Sequence, residues 1–206
     1  MQRLIILGIG YLFGSLQTAI IIGRLKGLDI RSHGSGNAGA TNTLRVLGLK
    51  YALLVFVGDM LKALMAIVIA RLIFNNNPQL PDLLIAVYAG FGAILGHNWP
   101  VYFQFKGGKG IAVSMATLLM IDYRIGVVAA ILFLSTIAFT RYVSLGSILL
   151  TLSAPIMLTL LHKNDLVFFE VIILITIIPV LAIYQHRANI GRLFKGTESK
   201  LGQKTK

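Results

Sequence analysis

A polar, glycine-rich segment in the first quarter of the chain carries residue types that bind phosphate. Residues 32–42 read SHGSGNAGATN, and an arginine follows at position 45. Glycines let backbone N–H groups approach an anion closely, serine and asparagine add hydrogen bonds, and arginine can clamp a phosphate bidentately. A tight turn with Thr41 or Asn42 capping the next helix would explain only one or two of these polar residues. The segment predicts an anion site formed by Ser35, Gly36, Asn37 and Arg45.

The same segment formally matches the dinucleotide-binding pattern G-x-G-x-x-G through Gly34, Gly36 and Gly39. That pattern needs a preceding strand within a βαβ unit, whereas here a long apolar stretch precedes it. A dinucleotide-binding fold is therefore rejected, but the affinity of such a loop for anions remains.

A second candidate anion site combines lysines with glycines in the middle of the chain. Residues 96–110 begin GHNWP and end FKGGKG, directly before an apolar stretch. Backbone N–H groups, a helix N-terminus and two ammonium groups would favour an anion there, although no Ser or Thr completes a Walker A motif. Anchoring at the membrane surface would explain the lysines but not the glycines. We predict that phosphate is bound by Lys106, Gly107, Gly108 and Lys109.

The third polar segment, YQHRANIGR at residues 184–192, follows the last apolar stretch. At helical spacing His186 and Asn189 share a face, and a neutral imidazole beside an amide could bind or deprotonate a hydroxyl group. A cationic helix end on the lipid surface would account for Arg187 and Arg192, but not for that pair.

Other polar positions have weaker signals. His97 fits a packed, hydrogen-bonded role at least as well as a catalytic one, and the hydroxyl of Ser144 could cap a helix or contact a ligand. Asp59 and Lys62 stand three residues apart inside an apolar stretch. They are expected to pair, because an unpaired charge at membrane depth is costly.

The elements that must position these residues are membrane helices. Of the 206 residues, 56% are hydrophobic and 13% are charged, and the mean hydropathy is +0.82. Soluble domains carry about 25% charged residues. We therefore predict an all-α integral membrane protein with a single domain over residues 1–206 and a flexible basic tail from about residue 197.

Uncharged stretches predict a bundle of about seven transmembrane helices. They are Leu4–Gly23, Tyr51–Phe74, Leu83–Leu95, Ile111–Ile121, Ile125–Thr140, Val143–Leu161 and Leu166–Ile183. Spanning takes about 20 apolar residues, so the third and fourth stretches fall short, and five full spans is the alternative. The first stretch is too long for the apolar region of a signal peptide. Glycine pairs at Gly10 with Gly14 and Gly92 with Gly96 predict close helix packing.

The distribution of basic residues predicts the orientation. Of the 19 Lys and Arg residues, 14 lie on the side of the three polar segments, four lie on the other side, and Lys62 lies within a helix. Positive charge is retained in the cytoplasm, so the N-terminus is expected outside and the C-terminus inside. Five and seven spans both give this arrangement.

Composition also excludes several functions. The formal charge is +12, and no basic stretch outside the apolar regions is interleaved with aromatic residues. Cytoplasmic retention and attraction to anionic lipids or substrates explain this charge better than nucleic acid does. The absence of cysteine rules out disulfides, a thiolate nucleophile and a Cys-based metal site.

Together, the three segments resemble the bacterial acyl-phosphate-dependent glycerol-3-phosphate acyltransferases, the PlsY family. The likeness covers almost the whole chain, with the motifs in the family's order. The matching stretches are residues 34–42 with Arg45, residues 96–110, and His186-Arg187-x-Asn189-Ile190-x-Arg192-Leu193 with Gly196 and Glu198. Asp59, Lys62 and residues 141–144 also fit, whereas Val113 stands where the family commonly has threonine. The family pattern implies a structural role for Glu198.

The resemblance implies the first step of phospholipid synthesis at the bacterial inner membrane, with the active site facing the cytoplasm. The C1 hydroxyl of sn-glycerol 3-phosphate would attack a fatty acyl phosphate, giving lysophosphatidic acid and phosphate. Implied partners are membrane lipids and an enzyme that forms acyl phosphate. Because the acyl phosphate is already activated, no cofactor or metal is expected.

The resemblance also assigns roles to residues. Ser35 and Arg45 are implied to be needed for activity, and residues 106–110 to bind glycerol 3-phosphate. His186 and Asn189 are implied to belong to the active site. Our mechanistic hypothesis is direct attack, with Lys106 and Arg45 neutralising phosphate while the histidine and asparagine orient the hydroxyl. An acylated Ser35 is the alternative.

Two other functions remain as competing hypotheses. A transporter for a phosphate ester could use the same anion loops, but transporters commonly bind substrate near the midplane and show inverted repeats. No internal repeat is visible, and the polar segments share one side. A non-catalytic lipid-binding scaffold would tolerate His186→Ala and Ser35→Ala. The chain also lacks the H-x-x-x-x-D motif of other glycerolipid acyltransferases.

Overall fold

The computed structural model describes residues 1–74 and 76–203, which form α-helices and short 3₁₀ turns without any strand. The helices are α1 (Gln2–Gly14), α2 (Thr18–Leu25), α3 (Ala40–Leu47), α4 (Leu49–Phe74), α5 (Asp82–Asn98), α6 (Ile111–Ile121), α7 (Tyr123–Thr140), α8 (Val143–His162), α9 (Phe168–Gln185) and α10 (Arg187–Phe194). The 3₁₀ turns are Ile30–Ser32 and Val101–Phe103. The predicted all-α fold is confirmed.

Five stretches of the described chain are long and apolar enough to cross a membrane, namely α1 joined with α2, then α4, α7, α8 and α9. Helices α5 and α6 have 17 and 11 residues, so they are short, as the sequence predicted. Most of α5 is buried among α1, α4, α6 and α9, which surround it with protein. The total of seven spans and the outward N-terminus stay predictions.

The first apolar stretch is broken, so the continuous helix predicted over Leu4–Gly23 is wrong. The break lies at residues 15–17, between α1 and α2. There the fully buried side chain of Gln17 donates a hydrogen bond to the carbonyl oxygen of His97 at 3.1 Å. A tertiary contact thus competes with the helix ladder, and backbone carbonyls at the break become available to partners outside the helix.

Close packing of α1 against α5 depends on the two predicted glycine pairs. An added Cβ at Gly10, Gly14, Gly92 or Gly96 would overlap a backbone carbonyl oxygen of the facing helix. Only glycine permits this backbone approach, which is how small residues promote helix association in membranes. The predicted role of these glycines in helix packing is confirmed.

The charged pair predicted inside the second apolar stretch is also confirmed. Lys62 Nζ lies 2.9 Å from Asp59 Oδ1, and both side chains are almost fully buried. The Thr18 hydroxyl of α2 donates to the same carboxylate oxygen at 3.1 Å. The pair therefore ties α4 to the short helix that follows the break.

Residues 197–203 make specific contacts, in contrast to the flexible tail expected from residue 197. The Leu201 N–H donates to the Arg141 carbonyl at 2.7 Å, and the Arg141 guanidinium donates back to the Leu201 carbonyl at the same distance. The Lys200 ammonium lies over the Tyr142 ring, 5.5 Å from its centroid. This part of the tail is therefore fixed to the turn between α7 and α8, and residues 204–206 lie outside the described part.

Candidate active site

The first polar segment forms a loop between the 3₁₀ turn Ile30–Ser32 and α3, and one buried side chain holds it. Asn42 accepts a hydrogen bond from the Ser35 N–H at 2.7 Å and donates to the carbonyls of Ile30 and His33, each at 3.0 Å. Gly34 lies directly against this amide and has φ +59°, where a side chain would be strained. The loop leaves Ser35 exposed beside the cavity described below.

The second polar segment is attached to the end of α5 and leads into α6. The Gly108 N–H donates to the carbonyl of His97 at 3.0 Å. Gly110 has φ +78°, and α6 begins at the next residue. This geometry directs the Lys109 side chain toward α10, where its ammonium donates to Asn189 Oδ1.

The third polar segment bends between α9 and α10 at His186, a buried residue. Its Nδ1 lies 2.8 Å from the Ala182 carbonyl, which can only accept, so Nδ1 carries the proton and Nε2 keeps its lone pair. Burial is the main cause that lowers the pKa of His186 to about 4, and the nearby Lys109 ammonium lowers it further. The imidazole is therefore neutral at pH 7 and can accept a proton or hydrogen bond at Nε2.

Glu198 orients the groups around it by accepting three hydrogen bonds while almost fully buried. Its donors are Ser144 Oγ at 2.9 Å, Asn189 Nδ2 at 2.7 Å and Arg192 Nε at 2.7 Å. Because Asn189 donates through its amide nitrogen, its oxygen faces the Lys109 ammonium. The carboxylate thus fixes which way the asparagine amide points.

These three segments surround one cavity of about 370 Å³. Eight of the predicted site residues line it: Ser35, Gly36, Asn37, Arg45, Lys109, Ser144, His186 and Asn189. The structure therefore brings together residues that are up to about 150 positions apart in the sequence. Convergence of the three segments was the central structural expectation from the sequence, and it is met.

Three predicted residues of the second segment do not line this cavity. Lys106 is exposed to solvent on the outside of the loop. Gly107 and Gly108 pack behind the loop, where an added Cβ would overlap the His97 backbone or ring. The glycines thus set the position of Lys109, and the structure does not support the expectation that Lys106 contacts phosphate at this cavity.

The cavity has an excess of positive charge. Among the described residues, Arg45, Lys109 and Arg187 have no carboxylate partner, whereas Arg192 pairs with Glu198 at 2.7 Å. Burial lowers the pKa of Lys109 to about 8; Glu198 opposes this shift, and the neighbouring guanidinium groups add to it. Lys109 is therefore still charged at pH 7, and several uncompensated cations face one space.

Sequence reasoning missed several residues that line the cavity. Arg187 and Arg192 were explained as a lipid-surface helix end, and Asp59 as half of a structural pair, yet all three are part of the lining. His97 was left between a packed and a catalytic role, and it is both buried and part of the lining. The signal that could have identified the two arginines was their spacing. Arg187 and Arg192 lie within one helical turn of the His186–Asn189 pair, close enough to share its site.

Glu198→Ala is expected to reduce the free energy of unfolding by about 2–3 kcal/mol, because a buried carboxylate and its bonds to three donors are lost. Burial raises the pKa of this carboxyl, but its hydrogen bonds outweigh burial and leave it lowered. A lowered pKa means that the stabilisation is present near neutral pH and is lost as the pH falls through that pKa. Thermal unfolding of both proteins across this range should therefore show the difference shrinking in acid; a constant difference would contradict it.

Comparison with known proteins gives a consistent result. A family model described as "Glycerol-3-phosphate acyltransferase" matches residues 4–196. A glycerol-3-phosphate acyltransferase of Shouchella clausii (strain KSM-K16) is 44% identical over 201 residues, covering 95% of this chain and 94% of that protein. One from Thermoanaerobacter sp. (strain X514) is 42% identical over 198 residues, covering 96% and 94%.

Two solved structures are similar in fold as well. The crystal structure of PlsY (YgiH), an integral membrane glycerol 3-phosphate acyltransferase, in its glycerol 3-phosphate form has a TM-score of 0.85 and 37% identity, covering 98% of this chain and 96% of that one. Its lysophosphatidic acid form has a TM-score of 0.83 and 36% identity, with the same coverage.

Proposed function

The chain belongs to the glycerol-3-phosphate acyltransferase family, and we propose that it transfers the acyl group of a fatty acyl phosphate to the C1 hydroxyl of sn-glycerol 3-phosphate. The products are lysophosphatidic acid and inorganic phosphate. The chain is a multi-pass membrane acyltransferase, and the donor, the position of attack and the place in phospholipid synthesis are the proposed part.

The observation that carries this proposal is a cavity lined by Arg45, Lys109 and Arg187, none of which pairs with a carboxylate in the part of the chain that the structure describes. Both substrates are phosphate monoesters or anhydrides with about two negative charges each, so they need several cations and hydrogen-bond donors close together. The loop around Ser35 and the Lys109 loop both line this space. The acyl chain can remain in lipid while only the headgroups enter.

The groups that line the cavity support the following reaction. The substrate hydroxyl oxygen attacks the acyl carbonyl carbon, and the bond from that carbon to the phosphate oxygen breaks with its electrons leaving on phosphate. Arg45 stabilises the negative charge that collects on the leaving phosphate, while Lys109 holds the phosphate of glycerol 3-phosphate. The hydroxyl proton passes to His186 Nε2, which keeps a lone pair, or to an oxygen of the leaving phosphate.

Because an acyl phosphate is a mixed anhydride with a good leaving group, this chemistry requires neither a cofactor nor a metal. Ser35 then contacts substrate without being acylated. Rapid quench followed by mass spectrometry tests this, and an acyl-serine that forms and decays at the turnover rate would replace direct attack with a two-step route.

Purified protein, supplied with palmitoyl phosphate and glycerol 3-phosphate, provides the decisive assay. We expect stoichiometric release of phosphate and formation of lysophosphatidate, and no product when acyl-CoA replaces the acyl phosphate. Turnover with acyl-CoA alone would overturn the proposed donor. Vesicles loaded with glycerol 3-phosphate and lacking an acyl donor serve as the control for transport, where we expect no flux.

We also propose that the cavity opens toward the cytoplasm of a bacterial inner membrane. The proposal is supported by the concentration of basic residues on the side of the three polar segments. Glycerol 3-phosphate would reach the cavity from the cytoplasm, and a separate enzyme that forms acyl phosphate would supply the donor. Impermeant labelling of single cysteines at positions 106 and 163 in a chain without native cysteine tests this orientation.

The KM for glycerol 3-phosphate is expected to rise above about pH 8. Lys109, with a pKa of about 8, is charged below that pH and neutral above it, and a phosphate dianion binds the charged form better. The substrate stays a dianion in this range because its second pKa is about 6. Steady-state kinetics from about pH 7 to 10 measure the effect.

Lys109→Arg is the matched comparison, since a guanidinium stays charged throughout this range. The KM of this variant for glycerol 3-phosphate can differ from the wild-type value at neutral pH, but it should not show the wild-type rise above about pH 8. A wild-type KM that is flat up to pH 10 would show that the charge on Lys109 does not contribute to binding.

A further inference from the structure

A buried polar cluster lies directly behind the cavity and has no role in the mechanism described so far. It consists of Asp59 and Lys62 on α4 and His97 at the end of α5, and each of these residues is at most 4% exposed. Asp59 and His97 also line the cavity, so the cluster borders the space proposed for the substrate. Such a group is expensive to bury unless its members satisfy one another or serve a ligand.

The hydrogen bonds of Lys62 determine the protonation of the histidine. Its Nζ lies 2.9 Å from Asp59 Oδ1, 2.6 Å from the Leu16 carbonyl oxygen and 2.8 Å from His97 Nδ1. All three of these neighbours can accept, which matches the three N–H donors of an ammonium. The Asp59 carboxylate, which also accepts from the Thr18 hydroxyl, lies beside the ammonium as its counter-charge. An ammonium has three donors and no acceptor, so His97 Nδ1 must accept and its proton resides on Nε2.

The other edge of this imidazole faces the junction of the two anion loops. A Cβ added to Gly108 would overlap His97 Nε2 and stand 2.6 Å from the Ala38 carbonyl oxygen. Nε2 therefore lies where the loop that carries Ser35 meets the loop that carries Lys109. Within residues 1–74 and 76–203, this nitrogen has no hydrogen-bond partner, although the residue is buried and borders the cavity. The nitrogen is not among the fully buried atoms that lack a partner in the described structure, so it is accessible from the cavity, and its N–H can donate to a ligand there.

We propose that His97 is a substrate-binding residue: its Nε2–H donates a hydrogen bond to an oxygen of the phosphate ester held between the two loops. Lys62 and Asp59 act through it as positioning residues that fix this tautomer. The inference rests on the proposed function, because it takes glycerol 3-phosphate as the ligand.

The proposal gives the two imidazoles of the cavity opposite roles. His186 donates through Nδ1 to the Ala182 carbonyl and therefore presents an acceptor at Nε2. His97 accepts at Nδ1 from Lys62 and therefore presents a donor at Nε2. A phosphate oxygen needs a donor and a reacting hydroxyl needs an acceptor, so the two ends of one substrate are distinguished by neutral side chains of the same type.

Two amide substitutions separate the two edges of the ring. His97→Asn keeps an acceptor near the Nδ1 position for Lys62 but loses the donor toward the cavity, whereas His97→Gln can place an amide N–H near the Nε2 position. We expect His97→Asn to raise the KM for glycerol 3-phosphate by roughly 10–100-fold with little change in melting temperature. His97→Gln should recover most of that loss, and the exposed His33→Asn, outside the cavity, serves as the control.

If both His97 variants lose activity equally and unfold at the same lowered temperature, His97 has only a structural role and the proposal fails. It fails likewise if His97→Asn keeps the wild-type KM. Lys62→Met adds a third comparison: it should raise KM in the wild type but have little further effect in the His97→Asn background, because both act through the same N–H.

A spectroscopic readout is independent of turnover. Two-bond ¹H–¹⁵N correlations on protein labelled at its four histidines report each tautomer, and His97 is expected as the Nε2–H form and His186 as the Nδ1–H form. Glycerol 3-phosphate, added without acyl donor, should shift the His97 Nε2–H signal and leave His162 unchanged. An Nδ1–H tautomer at His97, or no shift at saturating ligand, overturns the inference. Shifts without turnover on acyl phosphate would instead refute the proposed reaction and leave the binding role standing.

Discussion

Lys109→Met is expected to lower kcat/KM for glycerol 3-phosphate by about 10²–10³-fold. The Lys109 side chain lines the cavity and reaches Asn189, and it is one of three cations there without a carboxylate partner among the described residues. Methionine preserves the length and most of the packing of the side chain while removing the charge. The phosphate would then lose a pre-positioned donor in a poorly solvated site, where such donors have their largest effect.

Lys106→Met is the matched control, because the same substitution is made three residues away on the exposed side of the same loop. We expect its kcat/KM to stay within about fivefold of the wild type. Both variants should unfold close to the wild-type temperature, since neither lysine forms an ion pair in the described structure. Equal losses in the two variants, or a larger loss at Lys106, would show that the loop binds substrate in another arrangement.

The sequence was sufficient to predict the helices, because apolar length and charge placement determine which segments can lie in a membrane. It was not sufficient to predict the break in the first apolar stretch. Residues 15–17 include no proline or charge, and the break depends on the Gln17 amide reaching the His97 carbonyl 80 positions away. Local propensity carries no information about that contact.

For the site, composition predicted the chemistry, and tertiary contacts determined which residues perform it. Lys106 and Lys109 are equivalent in a glycine-rich loop without periodicity. Tertiary contacts, among them the bond from the Gly108 N–H to the His97 carbonyl, distinguish the lysine that enters the cavity. Arg187 was assigned to the lipid surface for a similar reason. Its position depends on the bend at His186, where α9 ends and α10 begins.

Glu198 illustrates a different limit. A charged residue in a basic C-terminal segment is usually solvated, and no local pattern indicates the three donors that surround Glu198. Ser144 comes from α8 and Asn189 from α10, so the network exists only after the turn between α7 and α8 has bound residues 197–203. The structural role implied by the family resemblance is consistent with this geometry, which also orients the amide that contacts Lys109.

Gly108→Ala is expected to reduce kcat/KM by about 10²-fold, although the residue does not line the cavity. An added Cβ would overlap the His97 ring and stand 2.6 Å from the Ala38 carbonyl oxygen, and both of these residues are buried. The loop must therefore move, and it carries Lys109 with it. A displacement of about 1 Å at a catalytic group can cost about 10²-fold in rate.

Kinetics and thermal unfolding of the variant separate displacement of the loop from loss of the fold. Overpacking costs roughly 1–3 kcal/mol, so the melting temperature should fall modestly while activity falls much further. Gly8→Ala is the control, because its Cβ would meet nothing within 4 Å and alanine is the better helix former. Its activity should equal that of the wild type. If Gly108→Ala kept full activity, the contact between this loop and His97 could not be what positions Lys109, and the cation at the cavity would have to be placed by Asn189 and Glu198 alone.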